Sequence, residues 1–251
     1  MKNDSPSGAR AEGAQSRVAC SSCGLRELCL PGAIDPQTVA QIDDLVNHRR
    51  RLRRGDHLYR AGALLASLYA VRSGTLKSCV LHEDGREQVA GFHMMGDILG
   101  LDAIGGGRHM CDIVALEDCE VCEIPFAGLE QLSRELPSLQ HQLHRILSRE
   151  IARDYGVMLL LGSMKAEERL AAFLLNLSQR FAARGYSATE FHLRMTREEI
   201  GSYLGLKLET ISRVLSRFQH DGLIKVHHKH LRILDAERLR AILGQTASGN
   251  S

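Results

Sequence analysis

Three cysteines stand close together near the start of the chain, Cys20, Cys23 and Cys29, spaced C-x2-C-x5-C. Thiolates so spaced bind soft metals, and four of them around a compact loop suit a cubane iron–sulfur cluster as well as they suit zinc. A fourth ligand must come from Cys79, Cys111, Cys119 or Cys122. Cys119 and Cys122 form a second C-x2-C. The segment 119–124 reads as a strand, however, and side chains three apart on a strand point to opposite faces. The pair is therefore not expected to share one metal, which weakens a zinc-ribbon reading. Cys79, Cys111 and Cys119 read as small hydrophobes of a β core. A thiol oxidoreductase is the reading from another class, but it wants its C-x2-C at a helix start beside a βαβ unit. No Ser/His/Asp triad or carboxylate pair stands out, so no enzymatic activity is expected.

The second stretch with chemistry lies near the C-terminus. Thr196-Arg197-Glu198-Glu199 is a capping box, with a hydroxyl at the N-cap and a carboxylate three residues on. Ile200 and Leu204 give the helix it opens an apolar face, and Gly205 supplies a turn. A second helix starts near Leu208, turns Ile211, Val214, Leu215 and Phe218 inward, and stops at Asp221-Gly222. Two helices at this spacing form a helix-turn-helix, and segments 223–226 and 231–234 would add a wing. On the opposite face of the second helix stand Glu209, Ser212, Arg213 and Ser216. In a major groove arginine pairs with guanine, glutamate accepts from cytosine, and serine is permissive. Thr196, Arg197, Arg217 and Lys225 are the expected phosphate contacts, which position without reading sequence. The histidine-rich tip, His227-His228-Lys229-His230, reads as a solvated turn.

The elements that position these residues follow from composition and periodicity. The chain has 251 residues, 44% hydrophobic and 25% charged, with no tryptophan, so leucine, isoleucine, valine and alanine must build the cores. No apolar run approaches the roughly 20 residues of a membrane span. The opening, Met1-Lys2-Asn3-Asp4-Ser5-Pro6, carries no apolar leader, so a cytoplasmic protein without a membrane partner is expected. The net charge of +2 divides into +5 for residues 164–251 and −3 for residues 1–163. A basic C-terminal part points to an anionic partner, double-stranded DNA first.

Residues 1–19 read as a disordered tail and 20–34 as the cysteine loop. A helix is expected over 36–50, with Val39, Ile42, Leu45 and Val46 on one face. Within a sensor domain spanning 35–136, strand-length segments 68–72, 76–82, 87–93 and 113–124 alternate with glycine turns, the pattern of a β-barrel or jelly roll. Pro137 opens a long helix, 137–162. Residues 163–245 make the winged helix-turn-helix domain, beginning with a helix over 165–184 that buries Leu170, Phe173, Leu174 and Leu177. The fold class is α+β. Such DNA-binding domains engage two-fold sites as dimers, and Leu147, Ile151, Asp154 and Met158 follow a 4-3-4 spacing that marks a homodimer seam. Asp154 facing its two-fold mate would repel it and keep dimerisation marginal.

A cysteine loop, a β-barrel, a long helix and a winged helix-turn-helix together resemble the cyclic AMP receptor protein superfamily. Within it the chain is similar to the oxygen-sensing fumarate and nitrate reduction regulators over roughly residues 18–245. Besides the loop, the resemblance is carried by Glu120-Val121-Cys122-Glu123-Ile124-Pro125, by Ala166-Glu167-Glu168-Arg169-Leu170-Ala171-Ala172-Phe173 and by Gly205-Leu206-Lys207-Leu208-Glu209-Thr210-Ile211-Ser212-Arg213. It implies that Cys20, Cys23, Cys29 and Cys122 bind one [4Fe–4S] cluster, whose exposure Ser21, Ser22, Gly24 and Leu28 would tune. It implies that Glu209, Ser212 and Arg213 read a TTGAT-type half-site of a palindrome. It further implies an RNA polymerase contact, with turns near Ser73 and Gly85 as candidates. The superfamily's nucleotide pocket uses Gly-Glu-Leu and Arg-Ser or Arg-Thr; here the text is Gly100-Leu101-Asp102 and Arg108-His109-Met110. Cyclic nucleotide is therefore not expected, and the Gly105-Gly106-Gly107 run reads as a turn. The same absence argues against the alternative of a ligand-responsive regulator of this fold with a structural metal.

Overall fold

The computed structural model describes residues 20–29, 36–46, 48–81 and 85–244. The expected tail 1–19 and the end of the cysteine loop lie outside the described residues. The chain begins with one 3-10 turn, Cys20–Ser22, a helical turn α1 (Arg26–Cys29) and α2 (Pro36–Leu45). Eight strands follow: β1 (His48–Leu52), β2 (His57–Tyr59), β3 (Ser67–Ser73), β4 (Thr75–Leu81), β5 (Glu87–Met94), β6 (Ile98–Leu99), β7 (Asp112–Ala115) and β8 (Cys119–Pro125). Then come α3 (Phe126–Glu135), the long α4 (Pro137–Ser163) and α5 (Ala166–Ala182). The last part holds β9 (Glu190–His192), α6 (Arg197–Leu204), α7 (Leu208–His220), β10 (Ile224–His227), β11 (His230–Ile233) and α8 (Ala236–Gly244).

Three local expectations change. The helix expected over 36–50 ends at Leu45, because His48–Leu52 is drawn into antiparallel pairing with β8. The strand expected over 113–124 is two strands, β7 and β8, which belong to different sheets. Among the described residues the strands also close no barrel. They form two four-stranded antiparallel sheets, in the orders β1-β8-β3-β6 and β2-β7-β4-β5.

Alternation along the strands explains how one sheet serves two cores. In β3, Tyr69 and Val71 face the space between the sheets, while Leu68 and Ala70 face the helices. In β8, Cys119 and Val121 join the inner core with Leu52, Leu76 and Ile113, and Cys122 joins the outer one with Ile42, Leu129 and Leu139. The outer face of the first sheet is thus covered by α2, α3 and the start of α4.

The C-terminal core runs from Leu170 and Leu174 of α5 through Ile211 and Phe218 of α7 to the wing, and it takes in Val89, Phe92 and Met94 of β5. Arg169 ties the junction, donating to the carbonyls of Leu161 at 2.8 Å, Met164 at 2.9 Å and Leu204 at 2.9 Å. One guanidinium therefore joins the ends of α4 and α6 through α5.

Candidate metal centre and nucleic-acid interface

The structure brings Cys20, Cys23, Cys29 and Cys122 to one cavity of about 60 Å³, otherwise walled by apolar groups such as Ile42, Leu68 and Ile98. Leu139, Leu143 and Ile146 of α4 form its far side. The loop is seated by α2: Asp43 accepts from the backbone N–H of Cys20, and from that of Ser21 at 3.2 Å. Sequence reasoning passed over Asp43, because a lone carboxylate on a short helix carries no sign of the distant N–H groups that it caps. Cys122 stands opposite Ala70 on one side and Arg49 on the other, held by both neighbouring strands. Cys119 points the other way, its thiol donating to the carbonyls of Thr75 and Glu117 in the inner core.

Burial pushes the Cys20 and Cys29 thiols up to about 12, with the neighbouring thiols, and for Cys20 also Asp43, adding to it. Burial raises Cys122 as well, against the pull of Arg72 and Arg49. Such a set ionises together only against a strongly cationic partner, as a metal centre supplies. Among the described residues no three or more His, Cys, Asp or Glu side chains are arranged to hold a single ion. The four thiols border one apolar cavity. Soft thiolate donors of this kind suit an iron–sulfur cluster as well as zinc.

At the other end, the Thr196 hydroxyl accepts from the Glu199 N–H at 3.1 Å, and the Glu199 carboxylate accepts from the Thr196 N–H at 2.7 Å. Gly205 turns the chain with φ 62°. Gly201 permits close crossing, since a Cβ there would sit 2.6 Å from the Leu206 carbonyl oxygen. Ile211, Val214, Leu215 and Phe218 are buried, which leaves Glu209, Arg213 and Ser216 exposed on the opposite face and Ser212 half-buried. The Gln219 side chain accepts from the Val226 N–H at 2.9 Å and fixes the wing against α7.

The four expected phosphate contacts differ in readiness. Thr196 is the cap, and Lys225 is exposed on β10. Arg197 donates to the Ser212 hydroxyl at 3.2 Å. Arg217 is paired with Glu167 of α5 and lies 3.8 Å from Asp221, so it must exchange partners to reach a phosphate. Of the expected seam, Leu147 is half-buried, whereas Ile151, Asp154 and Met158 are exposed, together with Tyr155 and Leu159. Leu147, Ile151 and Asp154 also border a cavity of about 340 Å³ between α4 and the sheets, with Tyr59, His93 and Asp102 across from them.

Comparison with known proteins agrees with this division. The Cyclic nucleotide-binding domain family matches residues 49–135, and the Crp-like helix-turn-helix domain family matches residues 168–242. The chain is 47% identical over 229 residues to the fumarate and nitrate reduction regulatory protein of Salmonella typhimurium, covering 91% of this chain and 92% of that one. The chain belongs to the fumarate and nitrate reduction regulator family. Another member of similar likeness is the transcriptional regulatory protein btr of Bordetella pertussis, 48% identical over 90% of this chain and 93% of that one. Among solved structures, FixK2 of Bradyrhizobium japonicum matches with a TM-score of 0.73 at 30% identity, over 78% of this chain and 96% of that one. As a family member the chain is a transcription regulator of the Crp type with a DNA-binding helix-turn-helix domain. No helix among the described residues is long and apolar enough to cross a membrane.

Proposed function

We propose that this regulator senses oxygen in the cytoplasm, with Cys20, Cys23, Cys29 and Cys122 holding a [4Fe–4S] cluster whose presence promotes homodimerisation and DNA binding. The observation that carries this reading is the meeting of four thiols at one apolar cavity whose far wall is α4. When bound, the cluster supplies an oxygen-labile link among the four thiolates. The chain does the rest. Cys122 is anchored within a sheet, so the link fastens the N-terminal loop against Leu139, Leu143 and Ile146. That packing steadies α4, whose outer stripe of Leu147, Ile151 and Met158 meets a second copy. Asp154 on the stripe opposes pairing, so a few kcal/mol of loop seating is enough to shift the population.

In the dimer, two copies of α7 read the half-sites of a TTGAT-type palindrome through Glu209, Ser212 and Arg213. Thr196, Arg197, Arg217 and Lys225 hold the phosphates. Turns near Ser73 and Gly85 contact RNA polymerase. A cyclic nucleotide is disfavoured because Gly100-Leu101-Asp102 and Arg108-His109-Met110 lack the superfamily pocket's glutamate and hydroxyl partner, and in the cavity beside α4 Arg153 is already paired with Glu150, leaving Asp102 and Asp154 to face a phosphodiester. The test is purification without oxygen followed by assays of iron, sulfide and zinc. About four iron and four sulfide per chain, with a visible absorbance that bleaches in air, is the expected result. One zinc, or no metal after attempted reconstitution, overturns the proposal.

A further inference from the structure

The turn between β5 and β6 touches both the cysteine loop and the DNA-binding domain. Leu28, between Cys23 and Cys29 in sequence, packs onto Gly96. That glycine has φ +87°, and a Cβ there would meet the Leu28 Cβ at 2.5 Å. The next residue, Asp97, accepts from Arg180 at 2.5 Å, from Arg184 at 2.7 Å and from the Met94 N–H at 2.9 Å. Arg180 lies in the last turn of α5, and Arg184 just beyond it. Both arginines are further fixed by backbone, Arg180 donating to the Phe92 carbonyl of β5 at 2.9 Å and Arg184 to the Met95 carbonyl of the turn at 2.6 Å. Arg153 of α4 donates to the same Phe92 carbonyl at 2.6 Å. Leu28, Asp97, Arg153, Arg180 and Arg184 border one cleft of about 330 Å³. Each of these three arginines is already bonded to a carboxylate or a carbonyl, and Arg149 completes the basic rim of the cleft.

We infer that Gly96 and Asp97 are positioning residues that transmit the seating of the cysteine loop directly to the DNA-binding domain of the same chain, in parallel with the long helix. The inference rests on the reading that the loop is held by its cysteines. A single carboxylate satisfies two largely buried guanidinium groups, and leaving either uncompensated is costly. The turn and α5 therefore move together. Leu28 pressed on Gly96 holds the turn where both Asp97 oxygens reach α5. When the loop leaves, that support goes, and α5 gains freedom relative to the sheets. Coupling of this kind needs an element with two arrangements that both sites bias, and the turn over 94–97 is that element.

The test is amide hydrogen exchange over residues 176–184 in the full-length protein, prepared both with iron and sulfide under nitrogen and without them. In the protein loaded with iron and sulfide Leu28→Ala, Gly96→Ala and Asp97→Asn are each expected to speed exchange there about tenfold, the scale of one charge-assisted contact, while β3 and α7 stay protected; without iron and sulfide Leu28→Ala should change nothing. Leu28→Ala should add nothing in the Asp97→Asn background, because both act through one joint. In the loaded protein Asp97→Asn should keep wild-type iron, sulfide and visible spectrum while DNA affinity falls, and Asp97→Glu should recover part of it. In the loaded protein, unchanged exchange in Leu28→Ala, or effects of Leu28 and Asp97 that add in full, would overturn the inference. A chain that holds no iron or sulfide would overturn the oxygen-sensing reading instead, and Asp97→Asn would still be read in that preparation: unchanged exchange over 176–184 there would overturn the joint itself.

Discussion

Gly201→Ala isolates the geometry of the helix-turn-helix from everything upstream of it. The added Cβ would lie 2.6 Å from the Leu206 carbonyl oxygen, where ordinary contact begins at 3.4 Å, so the two must part by 0.8 Å. The obstructing atom is backbone and cannot swing aside, and its residue's N–H is bonded to the Gly201 carbonyl at 2.8 Å. Overpacking of this kind costs about 1–3 kcal/mol, and alanine returns about 1 kcal/mol of helix propensity. A net loss of about 1 kcal/mol lowers Tm by about 2–4 °C in a chain of this size. DNA binding should suffer more. Leu206 leads into the first turn of α7, and displacing that end from the groove forfeits a bidentate base contact worth about 1–3 kcal/mol per half-site. Affinity for the palindrome, which loses that contact twice, should fall about 30-fold or more, with binding to unrelated DNA little changed because phosphate contacts carry it. Fluorescence anisotropy with both DNAs at fixed salt, beside a thermal melt, measures this. Unchanged affinity for the palindrome, whatever the melt shows, would refute the argument that this close crossing sets the reading helix.

Four further outcomes are expected. Cys122→Ala should abolish iron and sulfide binding, whereas Cys119→Ala should retain both and lose about 1 kcal/mol of stability, as expected of a small buried side chain; iron assay and urea unfolding separate the two. Arg213→Ala should relax base preference at its contact by about 1–3 kcal/mol, while Lys225→Ala should leave preference intact and reduce the salt slope of binding by about 1, both read by titration across salt concentrations. Asp154→Ala should raise the dimer fraction in protein prepared without iron, as sedimentation velocity would show. Burial, with Arg153 and Arg180 nearby, lowers the His93 pKa from 6.5 to about 3. The unfolded chain therefore binds a proton below pH 6.5 that the folded chain refuses, so stability is full above pH 6.5 and declines below it by up to about 1.4 kcal/mol per pH unit. Melts at pH 7, 6 and 5 should show a shallower decline in His93→Gln.

What could be read from the sequence was local. A capping box, a glycine turn and the spacing of Ile211, Val214 and Phe218 specify the helix-turn-helix within 25 residues, because each signal acts on its near neighbours. The cysteine spacing marked the loop in the same way. The split between β7 and β8 was not legible, since the connecting Leu116 is itself buried and continues the apolar pattern. Nor was α3, which starts after Pro125 with no side-chain cap to announce it. The open pair of sheets follows from long-range pairing that periodicity does not encode. Asp43, Asp97 and the seating of Leu28 on Gly96 escaped notice because the partners of α2, α5 and the turn lie 22 or more positions away, and no spacing rule reaches that far. Arg217 looked free for DNA because its pairing with Glu167 depends on how α5 crosses α7.

The unequal anchoring of the four thiols bears on how often the molecule can be used. Cys122 belongs to a strand with a neighbour on each side, while the other three sit on a short segment tied mainly through Asp43 and Leu28. Releasing that segment breaks a few bonds and leaves both sheets and the winged domain standing, an opening far cheaper than global unfolding. On the proposed oxygen-sensing reading, damage and repair would alternate on a folded chain. Such a regulator would be a resettable part, restored by resupply of iron and sulfide without new protein synthesis, and its response time on return to anaerobic growth would be set by cluster delivery and not by translation or refolding.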